Sequence, residues 1–256
     1  MKNPADYPAA EFIVLFLVLW LSSRFGATVL KKKFQQERDV RDDLMVVLTT
    51  TLTMLGLIIG FTFSMAISRY DQRKNYEANE ANAIGTEYVR LDLLPAADKE
   101  KIKPLLRQYL DERILFYNAS RDQDQIAQIN ARTIALQNEM WRHVQEVAAL
   151  HPTPIVGLAA SGMNDVLNTQ AYTQAAWWNR IPTEARILIV LLSVCCNVML
   201  GYSIRNPKME KILILIMPLF ISVAFFLIMD IDSVRGGLIT ISPDNLISLS
   251  QQLEKS

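Results

Sequence analysis

Residues Leu44 to Pro95 read LMVVLTTTLTMLGLIIGFTFSMAISRYDQRKNYEANEANAIGTEYVRLDLLP, with no proline before the last position. The first 25 or so are apolar enough to cross a bilayer, whose hydrocarbon needs roughly 20 helical residues. The remainder is charged and amphipathic, and nothing between the two parts stops a helix. The stretch therefore predicts one long helix that leaves the membrane still wound.

Three further segments have the length and apolarity of spans: Glu11 to Leu30, Ala185 to Tyr202 and Ile212 to Met229. Hydrophobic residues make up 51 % of the 256-residue chain and gather towards its two ends. Between the second and third spans lies a polar block of about 115 residues. The expected fold is an all-α membrane protein with four transmembrane helices and a helical extramembrane domain inserted between spans two and three. In residue terms this gives spans one and two in 1–68, the extramembrane domain in 69–184, spans three and four in 185–229, and a tail, 230–256, packed on the extramembrane domain. The formal net charge is zero, so no global field draws the chain to nucleic acid. Cys195 and Cys196 are adjacent in span three and the polar block has no cysteine, which leaves no material for a disulfide framework or a zinc site. The weakly basic N-terminus and the absence of a small-residue cleavage site favour a retained first span over a signal peptide.

Basic residues in short loops mark the cytoplasmic side of a membrane. Lys31, Lys32, Lys33, Arg38 and Arg41 follow span one, and Arg205, Lys208 and Lys211 follow span three, whereas the opposite side has only Lys2 and Arg235 close to the spans. This predicts a multi-pass protein of the bacterial inner membrane with both termini and the central block outside the cytoplasm. Arg69, Arg73 and Lys74 point the other way, although a long domain largely escapes the rule. Arg24 lies within two turns of the lysines and can snorkel to the same interface.

After Pro95 the block reads as helices. Asp98 suits an N-cap for a segment with Ile102, Leu105, Leu106, Tyr109, Leu110, Arg113 and Phe116 at helical spacing. Asp122 or Asp124 suits the start of another, carrying Ile126, Ile129, Ile134, Leu136, Met140, Val144 and Val147, and the His151-Pro-Thr-Pro154 run ends it. A third runs from about Ile155 to Trp178 and stops before Pro182. No alternating strand pattern appears, so the block is expected to be an antiparallel bundle with the extension of span two as its first member. Span four contains Pro218, which should kink or loosen it, and meets Asp230, Asp232 and Arg235 at the membrane edge. Gly236-Gly237 would end that helix, with a short extended piece and a helix from Pro243 beyond.

Within span two, Thr49, Thr53, Gly56, Gly60, Phe63 and Ile67 fall within about 100° of one another on a helix turning 100° per residue. Small and hydroxylated residues facing one way in a membrane helix imply close contact or water. They suit helix packing through the Gly56-x-x-x-Gly60 pattern. Equally, they suit a pore in an oligomer, with Phe63 and Ile67 as a hydrophobic constriction. In the extension, charges of both signs recur at i, i+3 and i+4, as in Arg73 with Glu77 and Glu87 with Arg90. Ala78, Ala81, Ala83 and Gly85 are too small to shield them, so neighbours must come close. Glu77, Glu80 and Glu87 thus belong either to a salt-bridged bundle core or to a cation site or vestibule.

The run FSMAISRYDQR, then EANAIGTEYVRLDLLP, LLRQYLDERI and finally DIDSVRGGLITISPDNL resembles the bacterial bestrophin-like domain family, a family without an assigned activity. The resemblance covers about Asp42 to Leu249 and is carried most specifically by Glu80, Ala81, Asn82, Ala83, Arg90, Leu94 and Pro95 with Arg107 and Tyr109. More remotely the chain is similar to bestrophins, pentameric anion channels with four spans per subunit and a hydrophobic neck on the second. That likeness implies a homo-oligomer, a pentamer in the bestrophins, and puts Phe63 and Ile67 at the neck. The chain lacks the tryptophan-rich stretch that follows span two in bestrophins, and its lysines predict the opposite orientation.

No HExxH, GxSxG, P-loop or dinucleotide fingerprint occurs, and His143 and His151 read as a solvated helix residue and a loop residue. Neither catalytic residues, nor a cofactor, nor a metal is expected. Trp177 and Trp178 read as an interfacial anchor. Two functions are consistent with the sequence: an oligomeric ion channel or passive pore lined by span two, with the lipid bilayer and inorganic ions as partners, and a membrane-anchored binding or sensory protein whose helical block recognises a ligand or envelope partner.

Overall fold

The computed structural model describes residues 7–33, 38–204 and 207–255. Among these the chain forms helices and no strand. Helix α1 (Pro8–Phe25) passes through a π-helical turn, Gly26–Leu30, into the short α2 (Lys31–Lys33). Then come α3 (Arg38–Arg90), a 3-10 turn at Leu91–Leu93, α4 (Ala96–Asn118), α5 (Gln123–Leu150), α6 (Pro154–Trp178), α7 (Thr183–Ser203), α8 (Pro207–Asp232) and α9 (Asp244–Glu254). Four helical segments are long and apolar enough to cross a membrane. The protein is a multi-pass, all-α membrane protein. Its chain divides into two compact units, Met1–Arg69 with Arg180–Thr240 and Tyr70–Asn179 with Ile241–Ser256. Lys2, Lys33, Arg38, Arg41, Arg205 and Lys208, which bear on orientation, lie outside the residues whose side chains are described.

The expected long helix is α3, 53 residues without a break, roughly 80 Å at 1.5 Å per residue. It stops where the sequence requires. Leu94 is extended, with φ −83° and ψ 160°, because the ring of Pro95 clashes with a helical residue before it. The cap of α4 differs from expectation. Pro95 occupies that position, and the N–H groups of Asp98 and Lys99 already bond to its carbonyl. Asp98 is one turn inside, where its charge still favours the positive end of the helix dipole. Asp122 does cap α5, accepting from the N–H of Asp124 at 3.0 Å, and Thr153 caps α6 with Pro154 at its first position.

In the first unit α1, α7 and α8 pack together around Leu15, Leu19, Ile189, Cys196, Phe225 and Met229. Hydrophobicity cannot drive helices together in lipid, so close backbone contact and polar bonds must. Both occur between α1 and α7. A Cβ on Gly26 would lie 2.1 Å from the Val198 carbonyl oxygen, and one on Gly201 would lie 2.1 Å from that of Ser23. Beside this contact the buried Ser23 hydroxyl donates to Asn197 Oδ1 at 2.9 Å, and Asn197 Nδ2 donates to the Ser193 carbonyl at 2.8 Å. At the same end Lys31 Nζ donates to Glu210 and to the Ile204 carbonyl, at 2.7 and 2.8 Å. Helix α8 continues through Pro218 and ends at Asp232, before Gly236-Gly237 rather than at it, and Asp230 and Asp232 accept backbone N–H groups of neighbouring segments.

In the second unit the apolar stripe of α4 is buried as expected at Ile102, Leu106, Tyr109, Leu110, Arg113 and Phe116. On α5 one position departs from the reading: Ile134 is exposed and its neighbour Thr133 is buried, its hydroxyl satisfied by the Ile129 carbonyl. Trp177 is a core residue instead of an interfacial one, its ring 4.8 and 5.3 Å from those of Phe116 and Tyr117, whereas Trp178 is exposed.

Gly201→Leu should lower the midpoint of thermal unfolding in detergent, with a loss of about 1–3 kcal/mol or more from overpacking. Gly157→Ala, at a position within α6 with open space around it, should not lower the midpoint and should raise it slightly, since alanine favours the helix over glycine.

Candidate functional site

Helix α3 carries most of the residues singled out from the sequence, and its membrane-spanning part is poorly covered by its own chain. Only 11 % of its most apolar stretch is buried, against 28, 33 and 39 % for the other three spans. Leu48, Leu55, Thr62 and Ala66 form its buried edge. Thr49, Thr53, Gly56, Gly60, Phe63 and Ile67 lie about a quarter-turn round the helix, and all six are exposed. A Cβ on Gly56 or Gly60 would meet nothing within 4 Å. The GxxxG pair therefore does not serve packing within the chain, and any helix against it must come from another molecule. The hydroxyls of Thr49 and Thr53 donate to the carbonyls four residues earlier, at 2.8 and 2.9 Å. The face consequently offers oxygen lone pairs and apolar surface, with no charge.

The charged extension separates into four environments. Buried Arg73 donates to the carbonyls of Ala176 and Asn179 at the end of α6, both at 3.1 Å, where a cation complements the helix dipole. One oxygen of Glu77 accepts the N–H groups of Asn245 and Leu246 at 3.0 Å and the other accepts the Asn245 side chain, so Glu77 satisfies the first turn of α9. Glu80 is fully buried and paired with equally buried Arg113 of α4, and Thr173 of α6 donates to it at 3.2 Å. Burial, and then the Glu80 charge, push the Tyr109 and Tyr117 hydroxyls above their ordinary pKa.

Glu87 stands alone. It is fully buried and neither carboxyl oxygen has a hydrogen-bond partner. Arg90, the opposite charge one turn along α3, does not hydrogen-bond to it and leans towards Asp165 of α6 at 3.9 Å. Gly162 of α6 makes room for both, since a Cβ there would lie 1.9 Å from Glu87 Oε2 and 2.6 Å from the Arg90 guanidinium. Burial raises the Glu87 pKa to about 8, with Arg90 opposing and Asp165 adding to the rise. Glu77 and Glu80 thus meet different partners, Glu87 meets none by hydrogen bond, and no group of metal-ligating side chains occurs among the described residues.

Asp230 and Asp232 are also buried. Asp230 accepts the N–H groups of Leu238 and Ile239 at 2.7 and 2.9 Å, and Asp232 accepts that of Ile181 at 3.2 Å. Gly237 is required in this turn because a Cβ would lie 2.6 Å from the Asp230 carbonyl oxygen. Arg235 is half-buried. Sequence reasoning missed the partners Thr173 and Asn245, the fitting of Gly162 to Glu87, and the close approach of Gly26 to Val198 and of Gly201 to Ser23. Only the proximity of Ser23 and Gly26 on one span and of Asn197 and Gly201 on another offered a signal, since small and polar residues mark helix contacts in lipid.

Four apolar spans, a charged helical block and an uncovered small-residue face on the longest helix define a helical membrane protein. A family model described as Bestrophin-like domain matches residues 13–246, and the chain belongs to that family. Its fold is similar to crystal structures of a bacterial bestrophin homologue from Klebsiella pneumoniae. One variant of that protein matches with a TM-score of 0.71 at 12 % identity, covering 95 % of this chain and 98 % of that one. Another matches with 0.69 at 12 % identity over 100 and 97 %, and a third structure with 0.70 at 11 % over 95 and 97 %. No curated protein matches the sequence at a significant level.

The state of Glu87 gives a pH dependence. The folded protein holds this proton up to about pH 8, whereas the ordinary glutamate value is 4.5. Between these values the folded state binds more protons than the unfolded one, so stability falls as pH rises through the window and is level on either side of it. Melting midpoints at about pH 5 and about pH 8.5 should differ by less in Glu87→Gln than in the wild type.

Proposed function

We propose that the protein is an oligomeric channel or passive pore for inorganic ions in the bacterial inner membrane, with the α3 face of Thr49, Thr53, Gly56, Gly60, Phe63 and Ile67 lining the path. The observation that carries this reading is the low burial of α3. An anchor needs no polar, small-residue stripe, and a helix so little covered by its own chain is completed by copies of itself around an axis. Family membership supports the same reading, because the solved relatives are bestrophin homologues. In such a ring Thr49 and Thr53 supply the polar section, Gly56 and Gly60 the widest section, and Phe63 with Ile67 a constriction that dewets. Residues 69–184 form the extramembrane domain on this reading, and the tail from 230 packs against it through α9. On this reading Glu77, Glu80 and Arg90 reach neighbouring helices of that domain instead of coordinating an ion, and Glu87 is buried in it without a hydrogen-bond partner.

Purified protein in liposomes should pass ions down a gradient. Gly60→Leu should reduce the flux several-fold and Phe63→Ala should raise it, with the oligomer unchanged on size exclusion. Absence of flux under any ion gradient, or a monomer in mild detergent, would remove the proposal.

The basic loops after spans one and three support an extramembrane domain outside the cytoplasm. In a background with Cys195 and Cys196 replaced, Ser120→Cys should react with a membrane-impermeant thiol reagent added to intact spheroplasts. Reaction only after lysis would reverse the orientation.

A further inference from the structure

A groove of about 840 Å³ opens between the first three turns of α1 and the start of α7, within the range of roughly 300–1,000 Å³ common for small-molecule sites. Its floor is Leu15 and Phe225, both buried, and its walls include Val14, Val18, Ile187 and Leu191. At one end, level with the start of both spans, Arg186 donates to Glu11 Oε1 at 2.7 Å, and both side chains are largely buried. Polarity is thus graded along the groove. From Tyr7 to Val18 its length is roughly 17 Å at 1.5 Å per residue, about half of a hydrocarbon core of roughly 30 Å.

We infer that this groove binds one phospholipid with an aminoethyl phosphate headgroup, its acyl chain between α1 and α7 and its headgroup at the Glu11–Arg186 pair. The apolar section has the depth of a single leaflet, and the charged end lies where a headgroup lies. A guanidinium has five N–H donors and its bond to Glu11 uses one terminal nitrogen, so others remain for phosphate oxygens. The two helix N-termini beside it add positive potential. Glu11, next to the arginine, provides the negative partner that an ammonium group requires. A pair of opposite charges held side by side matches a headgroup carrying both charges better than one carrying phosphate alone.

The test uses the full chain reconstituted with equal amounts of phosphatidylethanolamine and phosphatidylglycerol, extracted into mild detergent and weighed by native mass spectrometry. Wild type should retain one phosphatidylethanolamine per chain. Leu191→Trp or Val14→Trp, each filling the groove from a side chain more than half exposed, should reduce retention at least tenfold. Phe220→Trp, on an exposed position of α8 that does not line the groove, should not. Glu11→Gln should keep a bound lipid but lose the preference over phosphatidylglycerol. Equal retention of both lipids by the wild type, or undiminished retention in both groove-filling variants, would overturn the inference. So would groove-filling variants that keep the lipid and lose the oligomer, which would give the groove to a neighbouring copy.

Discussion

A charge taken out of water must be answered, and in the second unit that requirement decides how the helices meet. Glu80 and Arg113 are both fully buried, and leaving either unpaired would cost about 3–5 kcal/mol. Their pairing fixes α4 against α3, and the bond from Thr173 brings α6 to the same carboxylate. Glu77 and Arg73 apply the rule at helix ends, one to the open N–H groups of α9 and the other to the last carbonyls of α6. Three helices are thereby held to α3 at specified heights, which burial of Leu or Ile alone would not specify. Glu87 is the exception that the same rule explains: with no hydrogen-bond partner, its burial favours the protonated form.

The membrane half is held by different physics. Its helices gain nothing from hiding apolar surface, because lipid is as apolar as their side chains. The α1–α7 contact is made instead by two glycines that let backbones approach and by a serine–asparagine bond that would be unsatisfied in lipid. Helix α3 lacks such a contact with its own chain. The same stretch of sequence is therefore fixed by charge where it leaves the membrane and left open where it crosses.

The long helix, the four spans and the helical block were legible in the sequence because each rests on local signals: apolar length, proline positions and the apolar stripe of α4. Thr153 and Pro154 marked a boundary in the same way. The partners of the buried charges were not legible. Arg73–Glu77 and Glu87–Arg90 have the spacing of surface pairs, and spacing along one helix says nothing of which other helix arrives. Asp98 was misread because Pro95 already supplies the turn, and Trp177 because an aromatic residue near a span looks alike whether it faces lipid headgroups or Phe116. Asp230 and Asp232 were legible as edge residues, but their backbone partners lie in turns without a pattern.

The glycine contact has a geometric consequence. Helices α1 and α7 run in the same direction, and their backbones touch at Gly26 and Gly201, close to the last turn of each. Towards the other end the groove opens between them, and the long side chains of Glu11 and Arg186 bridge it. The pair is thus held by its backbones at one end and by an ion pair at the other. A methyl group added at Gly26 or Gly201 would force these backbones apart, with no residue of the groove altered.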